Sequence, residues 1–304
     1  MNDNFASTPF VSVIIPVFND SESLQICLSA LEVQTYPSEL YEVVVVDNNS
    51  QEDISLVCDR FSQAKLVRES QPGSYVARNR GVSVAKGELL AFTDADCIPS
   101  VDWLTAGVEA FLSDPNMGLV AGRIDLFAKD PENPNPFELY EMIAGAFPQD
   151  KFVENGHYSV TANLFTSKAV ISAVGPFDKM LKSGGDKQWG QRVYAAGYQQ
   201  RYSDDAWMKH PARDNWEAMR KRGARIIGGR YDQLKAKQKS QAAMLLDLVA
   251  FMKPPFRYFF RILKDDRLNG TDQKLQFTLL MLRLRKAGIQ ERIRLQFGGT
   301  SERG

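Results

Sequence analysis

Two aspartates one residue apart, Asp94 and Asp96, close the apolar run Leu89-Leu90-Ala91-Phe92-Thr93. A strand end holds its side chains in place. Two carboxylates there offer hard oxygen ligands of the kind Mg²⁺ and Mn²⁺ prefer, with positions left open for phosphate. Taken alone, Asp-Ala95-Asp also suits a solvated turn that starts the next helix, so its surroundings have to decide. Two other apolar runs end in the same manner. Val11 to Ile15 stops at Pro16 and passes through Val17 into Asn19-Asp20, and Tyr41 to Val46 runs into Asp47-Asn48-Asn49-Ser50.

The segments that must hold these groups alternate between strand and helix over the first 125 residues. Leu24, Cys27, Leu28 and Leu31 recur at helical spacing between Ser21 and Val33, with Ser21 as the N-cap. A helix is expected over Asp53–Phe61, a short strand over Lys65–Arg68, a helix over Tyr75–Ala85 and another over Trp103–Leu112, then an extended run over Gly118–Ala121. Apolar strands alternating with helices predict an α/β fold with a mostly parallel sheet covered on both faces. Such sheets bind ligands beyond the carboxyl ends of their strands, and three polar clusters fall at those ends. Lys129 to Pro136 is rich in Pro and Asn and reads as a loop. Residues 211–222 read as a polar helix, and residues 242–304 as amphipathic helices broken at Pro254-Pro255.

The chain has 304 residues, room for one large domain or a domain plus an appendage. Cys27, Cys58 and Cys97 are odd in number and lack metal-ligand spacing, which fits a reducing compartment. No secretory signal and no membrane span are expected from the sequence. The zero net charge hides a split. Residues 1–208 hold 15 Lys+Arg against 28 Asp+Glu, a net of −13, and residues 209–304 hold 22 against 9, a net of +13. The basic half calls for an anionic partner: phosphates, an anionic membrane surface or the acidic half of the chain itself. Nucleic acid is not expected.

In order along the chain, several pieces resemble family 2 glycosyltransferases: Val11 to Asp20, Val45 to Ser50, Ala77-Arg78-Asn79-Arg80-Gly81, Gly87 to Asp96, Thr161-Ala162-Asn163-Leu164, Gly175-Pro176-Phe177-Asp178, Gly184-Gly185-Asp186 and His210-Pro211-Ala212-Arg213. The resemblance covers roughly residues 10 to 230. It implies a GT-A fold with a C-terminal helical extension, cut into a catalytic domain of residues 1–230 and a basic extension of residues 231–304. It also implies a nucleotide-sugar donor, a divalent metal (Mn²⁺ or Mg²⁺), and transfer of one sugar to a glycan or lipid-linked acceptor in cell-surface polysaccharide or glycolipid synthesis. The expected location is cytoplasmic, free or peripheral at the inner face of the plasma membrane.

The same resemblance implies the roles of single residues. Pro16, Val17, Asn19 and Asp20 would lie along the nucleoside, with Asp47 and Asn48 near the base. Many members have a second Asp where this chain has Asn48, which weakens the case for a UDP-sugar without displacing it from first place. Asp94 would touch the ribose or the metal, beside Ala95, and Asp96 would bind the metal directly. His210 would complete the metal shell. Arg78 and Asn79, with Asn163, would reach the donor, though a surface arginine gives the same pattern as Arg78. Arg213, Arg222 and Arg225 would clamp the diphosphate or form a solvated basic face. Asp186 would be the base that takes the acceptor's proton in an inverting displacement, a role compatible with an N-cap. The family usually shows Glu-Asp here, whereas this chain has Gly185-Asp186. The Gln-x-x-Arg-Trp pattern of processive members is absent from Gln188 to Val193, which points to one sugar per encounter.

Other classes fit less well. A haloacid-dehalogenase-type phosphatase places its Asp-x-Asp after an early strand and follows it two residues later with Thr or Val, whereas here it follows the fourth strand and Ile98 stands at that place. A sugar nucleotidyltransferase needs a Gly-rich basic loop after the first strand. A catalytically inactive scaffold that grips a partner or membrane through its C-terminal helices has no reason to keep Asp94, Asp96, Asp186 and His210.

Overall fold

The computed structural model describes residues 8–145, 147–237, 240–253, 262 and 264–301. The strands are β1 (Val11–Val17), β2 (Tyr41–Asp47), β3 (Ala64–Arg68), β4 (Leu89–Thr93), β5 (Ile98–Pro99), β6 (Met117–Phe127), β7 (Asn163–Ser167) and β8 (Gln199–Pro211). The helices are α1 (Ser21–Glu32), α2 (Ser55–Cys58), α3 (Ser74–Val84), α4 (Trp103–Leu112), α5 (Pro136–Ala144), α6 (Gln149–Gly156), α7 (Lys168–Val174), α8 (Gly185–Ala195), α9 (Trp216–Ala236), α10 (Gln241–Met252) and α11 (Gly270–Gln296).

One sheet runs in the order β3-β2-β1-β4-β7-β6-β8-β5. Its first four strands are parallel, as the alternating pattern predicts. Beyond β4 the sheet is mixed, because β7 pairs antiparallel with both β4 and β6, and β5 antiparallel with β8. The alternation along each strand explains the layers. Val11, Val13, Ile15 and Val17 of β1 point into one core with Leu24, Cys27, Leu28 and Leu31 of α1 and with Trp103, Leu104 and Val108 of α4. Val44 and Val46 of β2 point to the other face and meet Ala77 of α3. At Gly81, α3 lies so close to the sheet that a β-carbon would come within 2.5 Å of Ile14 Cγ2, so the helix seats only with glycine there.

Several boundaries move from the sequence reading. Asp20, not Ser21, is the N-cap of α1, and the Ser21 N–H donates to Glu52 Oε2 at 2.9 Å. The helix expected over Asp53–Phe61 shrinks to α2, since Asp53 Oδ1 takes the Ser55 N–H and hydroxyl and holds a turn. The helix expected over 211–222 begins at Trp216, with the Asn215 side chain accepting the Ala218 N–H, and continues to Ala236. The break expected at Pro254-Pro255 lies outside the described residues.

By compactness the chain forms two units, residues 1–125, 147–180 and 185–210, and residues 126–146, 181–184 and 211–304. The expected cut after residue 230 would divide α9, which runs unbroken through it. In the second unit, Phe277 and Met281 of α11 pack with Ile262 and Leu268 against Leu139, Tyr140 and Ile143 of α5.

Candidate functional site

The parallel half of the sheet brings the C-terminal ends of β1, β2 and β4 to one rim. β7 runs the other way, so its first residue, Asn163, pairs with Thr93 at that rim. β1 and β2 are tied together beyond their ends. The Asn19 N–H donates to Ser50 Oγ at 3.0 Å, and the Gln51 N–H donates to Asn19 Oδ1 at 2.6 Å. Asn19 and Asn49 have φ of 49° and 69°, the left-handed region that asparagine tolerates better than most residues. Pro16 and the buried Val17 belong to the end of β1. Asp20 caps α1 without a side-chain bond.

Asp47 is buried and its Oδ1 accepts the Ser50 N–H at 2.9 Å. Its outer side lines a cleft of about 380 Å³ shared with Asn49, Ser50, Gln51, Glu52, Asp53, Arg68, Glu69 and Ser70. Arg68 and Glu69 were missed by the sequence reading. The signal was available: Arg68 ends β3, which pairs in parallel with β2 and sets Asp47 opposite Arg68.

Three of the four asparagines expected at the donor are bonded within the protein itself. Asn48 accepts the Gly73 N–H at 2.7 Å and donates to Glu69 O and Gln71 O at 3.1 and 2.8 Å, fixing the loop that leads into α3. Asn79 donates to Phe177 O at 2.7 Å and accepts the Phe177 N–H at 3.1 Å. Asn163 is 0% exposed; it accepts the Trp103 Nε1–H at 2.9 Å and donates to Arg123 O and Ala206 O at 2.9 and 2.8 Å. A buried amide with all three of these bonds is a structural clamp, since buried polar groups are costly without partners. Ala95 likewise packs into the core.

Helix α3 joins the two acidic parts of the site. Tyr75 and Arg78 lie three residues apart, on one face of the helix. Arg78, almost fully buried, forms an ion pair with Asp94, and its guanidinium sits 5.9 Å from the Tyr75 ring centre. The Tyr75 hydroxyl accepts the Gly185 N–H at 2.8 Å and faces Asp186 Oδ1 at 3.3 Å as donor. Asp186 lies in the first turn of α8 rather than at its N-cap, and its Oδ1 also accepts the Lys187 N–H at 2.8 Å.

Desolvation holds the Asp186 carboxyl above the usual aspartate range, and the charge of Asp94 adds to the rise. The Lys187 N–H, the Arg78 guanidinium and the Tyr75 hydroxyl pull the other way. The Tyr75 and Tyr158 phenols are raised by burial first and then by Asp186, Tyr158 to about 12. Lys187 sits 5.5 Å from the Tyr158 ring centre. These tyrosines carried no recognisable motif in the sequence. The departure at Gly185 has a steric cause: a β-carbon there would lie 2.7 Å from Cε2 and Cζ of Tyr75.

At the end of β4, Asp96 Oδ2 lies 3.6 Å from His210 Nε2 on β8. His210 is buried beside Phe147, their ring centres 5.3 Å apart. Ligand atoms of Asp96, Cys97 and His210 fall within 4.8 Å of one another. Burial, then the charges of Asp96 and Asp94, push the Cys97 thiol well above its usual range. A carboxylate oxygen and an imidazole nitrogen suit a divalent cation of the Mn²⁺ type. Asp94 stands outside this cluster, gripped by Arg78.

The expected diphosphate clamp lies in the second unit. There Arg213 donates from its backbone and its guanidinium to the buried Glu141, and Arg222 approaches the same carboxylate at 3.7 Å. Arg225 is half-buried on α9.

Comparison with known proteins fits this geometry. The family described as "Glycosyl transferase family 2" matches residues 12–174. "Glycosyltransferase AglE" of Haloferax volcanii is 34% identical over 287 residues, 91% of this chain and 92% of that protein. Among solved structures, the mannosyltransferase PcManGT of Pyrobaculum calidifontis, in complex with GDP-Man and Mn²⁺, aligns with a TM-score of 0.62 at 19% identity, over 95% of this chain and 88% of that one. GalNAc-T7 with UDP, GalNAc and Mn²⁺ aligns with a TM-score of 0.55 at 17% identity, over 68% of this chain and 44% of that one. At these identities the structures speak to the fold, which is GT-A.

Proposed function

The chain belongs to glycosyl transferase family 2, and from that premise we propose that it moves one sugar from a nucleotide-sugar donor to a hydroxyl of a glycan or lipid-linked acceptor, with inversion at the anomeric carbon. The observation that carries this reading is the bridge made by α3. Tyr75 and Arg78 link Asp186 to Asp94, so the candidate base and the Asp-x-Asp motif, distant in sequence, share one electrostatic environment. Asp186 takes the acceptor proton. A carboxyl held above the usual range by burial is a stronger base than an ordinary aspartate. Arg78 places a buried positive charge where negative charge builds on the departing diphosphate.

Asp96 and His210 would hold a divalent cation, Mn²⁺ or Mg²⁺. When bound, such an ion supplies charge neutralisation to the nucleoside diphosphate. Asp47, Arg68 and Glu69 border the cleft that we assign to the nucleoside, with Asn19 and Asp20 beside it at the end of β1. A carboxylate at that position accepts an N–H from uracil or guanine alike. We keep a UDP-sugar first on the family resemblance, and the neighbours' GDP-Man and UDP place both nucleotides in the test. We further place the protein in the cytoplasm, bound peripherally to the inner face of the plasma membrane; among the described residues no helix is long and apolar enough to cross a membrane.

The test is a thermal-shift screen of UDP- and GDP-sugars with and without Mn²⁺. A ligand at a hundred times its Kd stabilises by about 2.7 kcal/mol. Asp96→Ala removes the Mn²⁺-dependent part of the shift. Asp186→Asn keeps the donor shift and loses transfer, and the product anomer read by NMR is inverted for the wild type. A chain that no nucleotide sugar stabilises in either condition is an inactive scaffold, and an Asp186→Asn variant that transfers at the wild-type rate removes Asp186 from the role of base.

A further inference from the structure

The outward face of α10 is apolar from end to end. Leu245, Leu246, Val249 and Met252 are 54%, 70%, 53% and 47% exposed, and Ala242 and Ala250 are exposed as well. The spacing i, i+1, i+4, i+7 puts the four large side chains on one stripe. The opposite face is occupied. Met244 and Leu248 are buried, and Asp247, the helix's only charge, is turned toward Arg230 and Arg292, at 2.8 and 3.6 Å. Arg292 of α11 is 3% exposed and also donates to Met244 O. The usual pattern of a surface helix is therefore reversed, with its charge held inside and hydrocarbon outside.

Helix α11 adds a row of exposed leucines, Leu275, Leu279 and Leu282, at i, i+4, i+7, all about half exposed and followed by the exposed Lys286. Exposed leucines in such rows mark a surface that something covers.

Charge decides what covers it. The sequence from residue 209 onward has a net charge of +13. A symmetric pair of chains would set this half against its own copy, since a two-fold interface places the same patch on both sides. An anionic bilayer supplies the opposite charge and an apolar layer at once. Lys253 stands exposed at the end of the α10 stripe, where a lysine stem lies along hydrocarbon and its ammonium reaches the headgroups. We propose that the outer face of α10, with the leucine row of α11, is an interfacial surface that docks this unit on an anionic lipid bilayer without crossing it. This deepens the peripheral-membrane reading above and rests on it, but it adds the face and the lipid class.

The test is flotation of the full chain with vesicles of phosphatidylcholine alone and of phosphatidylcholine with one quarter phosphatidylglycerol, in low and high salt. The wild type floats with the anionic vesicles, and high salt weakens binding without abolishing it. The triple variant Leu245→Glu, Leu246→Glu, Val249→Glu loses at least tenfold in the floated fraction. Because a triple change could disturb folding, a second measurement uses Leu246→Cys carrying an environment-sensitive dye. The native cysteines Cys27, Cys58 and Cys97 are all buried, so the label goes to position 246, and its emission rises on anionic vesicles. A wild type that floats with neither vesicle overturns membrane binding itself. A wild type that floats while the triple variant floats equally, or while the dye stays silent, overturns this face and leaves membrane binding intact. A sedimentation dimer that the triple variant dissociates gives the face to a second copy and also overturns the proposal.

Discussion

Gly185 offers the sharpest test of how the candidate base is held. A β-carbon at this position would stand 2.7 Å from two ring carbons of Tyr75. Comfortable carbon contacts lie at about 3.5–4.0 Å, so Gly185→Ala creates an overlap of about 1 Å. The ring has little room to yield. It is 7% exposed, stacked 6.0 Å from Phe177, and its hydroxyl is tied to Gly185 and Asp186. Overpacking of this kind costs about 1–3 kcal/mol. Removing the ring should reverse the sign, because alanine is better than glycine in a helix by up to about 1 kcal/mol. The assay is a double-mutant cycle by urea unfolding with Gly185→Ala, Tyr75→Ala and the double variant, plus Tyr75→Phe as the control that keeps the ring and loses the hydroxyl. We expect Gly185→Ala to destabilise the wild type and the Tyr75→Phe background alike, and to be neutral or stabilising in Tyr75→Ala. Equal costs in all three backgrounds would refute the steric reasoning.

Three further outcomes follow from the same geometry. The native Asp186 carboxyl is raised above its ordinary value of 3.8, so the native state binds that proton more tightly than the unfolded chain; the stability this group contributes is full below that value and is lost as pH rises through the raised native one. Asp186→Asn should therefore melt higher than the wild type at neutral pH, with the gain fading below about pH 4 in melting curves taken across pH. Arg78→Met removes a charge that lowers the Asp186 carboxyl, so the acid limb of the kcat/KM profile should move to higher pH. An unmoved limb would separate Arg78 from the base. Asn163→Ala leaves Trp103 Nε1, Arg123 O and Ala206 O without this partner; at about 1–3 kcal/mol for each buried orphan, denaturant unfolding should show a loss of about 3 kcal/mol or more, while the donor KM of the folded fraction stays unchanged.

The parallel half of the sheet was legible because β1, β2 and β4 are continuous apolar runs that only a doubly covered sheet accommodates. Their polar ends were legible for the same reason. The family resemblance set Asp96 and His210 in one metal shell, and the structure brings their side chains to 3.6 Å of each other. The asparagines were not. An Asn at a strand end has the same composition signal whether it meets a ligand or its own backbone, and the difference lies in which N–H and C=O groups nearby need partners. Asn48 is claimed by Gly73 and by the carbonyls of Glu69 and Gln71, a demand visible only once the loop is folded. Arg213 and Arg222 were likewise read as basic residues near a motif, while their bonding is to Glu141, whose burial no spacing announces.

The absent acid at position 185 and the presence of Tyr75 are one feature seen from two places. With no side chain at 185, the ring of Tyr75 lies directly over the start of α8, and its hydroxyl takes the Gly185 N–H. That bond orients the phenol's own proton toward Asp186, so a backbone donor that a helix start leaves unpaired is relayed to the carboxylate. A glutamate at 185 would displace the ring and put a second negative charge beside a carboxyl already raised by burial. The rise of the Asp186 carboxyl is moderated here by a neutral hydroxyl, a backbone N–H and the Arg78 guanidinium, and two of these three come from a single turn of α3. The orientation of the Asp186 carboxylate is therefore set by a helix that the sequence places about a hundred residues earlier, and the glycine is what lets that helix reach it.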